Sequence, residues 1–144
     1  MAKFLVLFLL CLTLMACTNS KQDQCVAIRK AIKAEMVAAK EVAAKLRDPQ
    51  ALAAHAGFLA NTISELRAVQ IEDAALKQAV LTYINAVGKL AEGYLKAAEG
   101  LKLLAKGEYK AAGDEMSGPG SGLVIYGTIV DSIRIRIAYE CNKP

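Results

Sequence analysis

From Lys21 onward the apolar residues recur at intervals of three and four. Cys25, Ile28, Ile32, Met36, Ala39, Ala43 and Leu46 fall on one face of a helix. Asp48 followed by Pro49 has the pattern of an N-cap with proline in the first turn, which ends the first helix near Arg47 and begins a second. The second carries Leu52, Ala56, Leu59, Ile63, Leu66 and Val69 on one side. A turn is expected near Gln70 to Glu72, because an unbroken helix from Pro49 to Ala105 would extend about 85 Å and could not fold onto itself. A third helix then runs from about Asp73 to Ala105, with Leu76, Val80, Tyr83, Ile84, Val87, Leu90, Ala91, Tyr94, Ala98 and Leu101 facing inward.

Ala79, Ala86, Gly93, Gly100 and Gly107 stand seven residues apart and make a stripe of minimal side chains along that third helix. Such a stripe admits close approach of another backbone, either within the monomer or from a partner helix. The run from Lys106 to Ala112 resembles the turn entering a tetratricopeptide repeat, where a glycine precedes Tyr and Ala of the next helix. The likeness spans only that run, without a 34-residue period, and implies a turn near Gly107 with a short helix after it. Ser117 to Gly122 reads as a flexible loop.

The segment from Leu123 to Cys141 carries two signals. Its β-branched residues favour a strand. Leu123, Tyr126, Val130, Ile133, Ile137 and Cys141 nevertheless keep helical spacing, and a lone strand among helices would lack a hydrogen-bonding partner. The reading adopted is a helix. Val124, Ile125, Ile129 and Ile135 lie outside the stripe, so this helix is apolar nearly all round and is expected to be covered on several sides. Arg134 borders the stripe and requires Asp131 or another acid beside it. Good helix formers dominate from Lys21 to Ala112, and the fold class is all-α. Four main helices in antiparallel order give a four-helix-bundle-like domain whose first start and last end share a pole.

Before this body, Lys3 precedes the uncharged and largely apolar run Phe4 to Met15, which has the form of a secretion signal. As a helix the run would reach only about 18 Å, well short of a bilayer's hydrocarbon core of roughly 30 Å. Leu14, Met15, Ala16 and Cys17 at its end resemble the lipobox of bacterial lipoproteins. The resemblance implies cleavage before Cys17, acylation of that cysteine, and two or three buried acyl chains as a near-permanent membrane anchor. Thr18, in place of aspartate, implies sorting to the outer membrane with the body facing the periplasm. Residues 1–16 are then a signal peptide, 17–21 a lipidated tether, and 22–144 the helical domain.

With Cys17 acylated, Cys25 and Cys141 remain, one near each end of the mature chain. In an oxidising compartment they are expected to form one disulfide; the other possibility is two free buried thiols.

Charge and chemistry narrow the function. Mature net charge is only about +3 and is spread along the chain, unlike the clustered basic footprint of a nucleic-acid binder. Lys33, Lys40 and Arg47, like Lys89 and Lys96, repeat at seven-residue spacing and read as solvated faces. The single histidine, His55, is expected to be a partly exposed structural residue. No zinc, di-iron or haem spacing is present, and no nucleophile motif, so neither catalytic residues, nor metal ligands, nor a cofactor are expected. These features favour a non-enzymatic lipoprotein whose body binds another envelope protein, as an accessory or immunity-type inhibitor. A carrier of a small apolar ligand between helices is the second possibility.

Overall fold

The computed structural model describes residues 20–117 and 122–144. Among these the chain is all-α, with helices α1 (Lys21–Ala43), α2 (Pro49–Ala68), α3 (Ala74–Ala105), α4 (Tyr109–Met116) and α5 (Gly122–Asn142). No described helix is long and apolar enough to cross a membrane. The lipobox and Cys17 lie outside the described residues.

Each start has a local cause. Ser20 and Asp23 form a reciprocal capping box on α1. Asp48 accepts hydrogen bonds from the backbone N–H groups of Gln50 and Ala51, with Pro49 as the first helical residue of α2. Asp73 caps α3 through the N–H of Leu76. Gly107 adopts φ +80°, the left-handed conformation that lets the chain turn out of α3 into α4.

α2 packs on α1 and α3, α3 on α4 and α5, and α5 returns to α1. At one pole Lys21 pairs with Asp73 at 3.2 Å and donates to the carbonyl of Lys143 at 3.4 Å. Cys25 and Cys141 lie there at disulfide-bonding distance, with Cα atoms 5.7 Å apart. The start of α1, the start of α3 and the end of α5 therefore share that pole. The core is built from Ile28, Ile32, Leu59, Leu76, Val80, Tyr83, Val87, Val130 and Ile137.

Several expectations need correction. The first helix ends at Ala43, and residues 44–47 form a turn, so Leu46 is exposed. Its buried face runs through Ile28, Ala31, Ile32, Glu35 and Val42, while Met36 is exposed by 42%. Glu35 takes the inward position because Tyr83 and Arg134 meet it there. His55 is buried, packed edge-on against Tyr94 at 4.7 Å, instead of partly exposed. Among the described residues the last helix is not covered on several sides. Val124, Ile125, Ile135 and Tyr139 are each more than 60% exposed, because its described neighbours, α3 and α1, occupy only the inner side.

The small-residue stripe is used within the monomer. Ala79, Ala86, Gly93 and Gly100 are all buried. A Cβ on Gly100 would lie 2.4 Å from Met116 Cγ, so that glycine is what lets α4 settle on α3. The basic repeats Lys33, Lys40, Arg47, Lys89 and Lys96 are exposed, and Lys89 pairs with Glu92 at 2.9 Å along the helix.

Candidate functional site

Glu35 is the least exposed charged residue among those described. It has no exposed surface, and its Oε2 accepts hydrogen bonds from the Tyr83 hydroxyl, at 3.0 Å, and from Arg134 Nη2. Arg134 Nη1 donates in turn to Asp131 Oδ1, one helical turn earlier on α5. One carboxylate oxygen thus joins α1, α3 and α5. Glu35 Oε1, Arg134 Nε and His55 Nε2 are buried without a hydrogen-bond partner among the described residues. Orphaned groups of this kind are costly in a low-dielectric interior.

The electrostatics follow from burial and from Glu35. Burial, and then the charge of Glu35, push the Tyr83 phenol far above its ordinary value, and the same two causes raise Tyr94. Burial lowers the pKa of His55, partly offset by Glu35. Burial works against the charge on Arg134, but the neighbouring Tyr83 and Glu35 outweigh it and raise its pKa. Glu35 and Tyr83 are both buried between the helices. The cluster is a clamp between helices.

Above it lies a groove between α1 and α5 of about 430 Å³. Ile32, Met36, Ile135, Ile137 and Ala138 line it with apolar surface. Arg29 and Lys33 bring cations to the same groove beside Arg134, whose charge is already met by Glu35 and Asp131. Arg29 is held by a 2.7 Å hydrogen bond to Asn142 Oδ1, while Lys33 has no hydrogen bond or ion pair among the described residues. The arrangement can bury an apolar group and hold an anionic one beside it. No three His, Cys, Asp or Glu residues converge as metal ligands among the described residues.

Of the residues singled out in the sequence, Cys25 and Cys141 are brought together at the pole that begins α1. Arg134 has its anticipated acid Asp131 and, in addition, Glu35. Glu35 was missed as an inward residue. The available signal was its place midway between Ile28 and Val42, at a spacing of seven, together with an arginine in need of a partner.

No protein-family model matches the chain, and neither a curated protein nor a solved structure is found to be similar to it.

Proposed function

We propose that this protein is an outer-membrane lipoprotein, tethered through Cys17 on the periplasmic face, whose helical bundle binds another envelope protein without catalysing a reaction. The α1–α5 groove carries the reading, because it pairs an apolar floor with an excess of cations at its edge. A partner segment that offers an apolar side chain flanked by acidic ones matches both properties. The tether supports the same reading. Only Thr18 and Asn19 separate Cys17 from the capping residue Ser20, which keeps the body close to the bilayer at about 3.5 Å per extended residue. An accessory role and an immunity-type inhibitory role both use such a groove.

A photo-crosslinking residue at Met36 in the full chain, compared with one at exposed Asn85 on α3, tests the proposal in native envelopes. The expected result is one heterologous adduct from Met36, absent from Asn85 and lost with Lys33→Glu. Identical adducts from both positions, or none from Met36, would contradict it.

A second reading has one observation of its own. A groove of about 430 Å³ with mainly apolar walls falls within the size range of small-molecule sites, about 300–1,000 Å³, and suits a small apolar ligand. Native mass spectrometry of the protein from envelopes then shows a co-purified mass that Met36→Glu removes.

A further inference from the structure

The outer side of α5 faces away from the core, meets the groove along Asp131, Ile135 and Ala138, and has an order of its own. Ile125, Thr128, Ser132, Ile135 and Tyr139 are spaced 3, 4, 3 and 4, the a and d positions of a heptad. All five are exposed. Val124 and Asp131 fall at g, and Ile129 and Arg136 at e, so every large exposed apolar residue of α5 belongs to this seam or its flanks.

From these relationships we infer that α5 pairs with α5 of a second copy of this chain, in parallel, about a two-fold axis along the helix. Three observations select that occupant. First, the polar members of the seam need no outside partner. The Thr128 hydroxyl donates to the Val124 carbonyl and the Ser132 hydroxyl to the Thr128 carbonyl, each at 3.0 Å. They can be buried against another helix without leaving a donor unsatisfied, and their small size lets the helices approach. Second, the flanks are self-complementary in the parallel sense. A g residue faces the e residue five positions on in its partner, which sets Asp131 against Arg136 and Val124 against Ile129. Asp131 is two-thirds exposed and uses only Oδ1 internally, and Arg136 has no ion pair among the described residues. Third, two copies tethered in one leaflet present the same pole to the membrane, so their α5 helices run the same way. This last point rests on the proposed lipid anchor; the seam itself does not.

The seam from Ile125 to Tyr139 is only about 21 Å long. A free peptide of that length would barely hold a coiled coil, but here the helix is already formed on α3, and confinement to a membrane raises the effective concentration of the partner.

The test uses the full chain in native envelopes, with single cysteines introduced by Ile125→Cys, Ser132→Cys or Tyr139→Cys and mild oxidation before non-reducing electrophoresis. The wild type and Asn85→Cys are controls. Parallel pairing brings each of the three positions against itself, so each gives a covalent dimer. Adding Ile135→Asp to Ser132→Cys reduces the yield at least about tenfold, the equivalent of about 1.4 kcal/mol. Antiparallel pairing would set two Ile125 positions about 25 Å apart, so a dimer from Ser132→Cys alone overturns the proposal. So does a yield from all three no higher than from Asn85→Cys. A dimer of the wild type itself would report an unacylated Cys17, and separates failure of the tether from failure of the seam.

Discussion

Glu35 and Arg134, 99 residues apart in sequence, form an ion pair that joins α1 to α5 from inside. Arg134 also lines the groove, so the clamp and the candidate binding surface share one side chain. The two partners are not equivalent. Arg134 has Asp131 as a second acid and keeps some exposure, whereas Glu35 is wholly buried and would be left with only the Tyr83 hydroxyl. Arg134→Met is therefore expected to cost about 3–5 kcal/mol, as for other buried charges stripped of a partner. Glu35→Gln keeps a group that can bond Tyr83 and should cost less, about 1–3 kcal/mol. Combining Glu35→Leu with Arg134→Met should recover most of the loss. Urea unfolding of the three variants checks the order; equal costs for the two single changes would contradict it.

The pH dependence has two separate windows. His55 has a lower pKa in the folded chain than its ordinary 6.5 because burial disfavours the imidazolium. The folded chain therefore binds fewer protons than the unfolded one near and below that value. The His55 contribution to stability is complete above pH 6.5 and is lost as pH falls from there through the folded value. Stability measured from pH 7.5 to 5 should fall for the wild type, and fall less for His55→Phe. At the other end, Tyr83 has its pKa raised, so its contribution is complete below pH 10 and is lost as pH rises beyond. Tyr83→Phe should flatten the alkaline loss.

How much of this was legible in the sequence depends on what each residue answers to. Asp48 with Pro49, and Gly107, are local punctuation, and α2 and α4 start beside them, although the first helix stops at Ala43, short of Arg47. The turn before α3 followed from chain length and not from a local signal. The inward side of α3 was equally readable, because apolar residues there recur at helical intervals. The first helix was harder. Met36 is the more apolar choice, but Glu35 holds the inward position because of partners on α3 and α5 that no local window contains. His55 was misplaced for the same reason, since the Tyr94 ring against it comes from another helix. The outer residues of α5 show the opposite limit: composition announces that they are apolar but not whether anything covers them. The groove needs two helices to exist, and the spacing of either alone does not describe it.

Closing the chain between Cys25 and Cys141 constrains a loop of 116 residues. In the chain-entropy account this stabilises the fold by about 4–5 kcal/mol. The pair Cys25→Ser and Cys141→Ser should lower the unfolding free energy by that amount, with the largest gain in backbone amide exchange at the start of α1 and the end of α5. Unchanged stability on full reduction would contradict this.

Two glycines on helix interiors should respond with opposite signs. Gly57 on α2 has open space where a Cβ would go, so Gly57→Ala is expected to stabilise by about 0.4–1 kcal/mol. Gly100 faces Met116, and Gly100→Ala should destabilise by about 1–3 kcal/mol through displacement of α4. Thermal midpoints measured side by side decide the matter, and a gain at both sites would show that α4 is held loosely.

Intact mass spectrometry of the protein recovered from membranes bears most directly on the central claim, a helical binding body held at the envelope by acyl chains. The predicted mass is that of a chain beginning at Cys17, increased by a diacylglyceryl group, commonly with a third acyl chain, and lacking the two hydrogens lost when Cys25 and Cys141 join. A chain that retains its leader, or one that begins at Cys17 or elsewhere without an acyl group, would contradict the account.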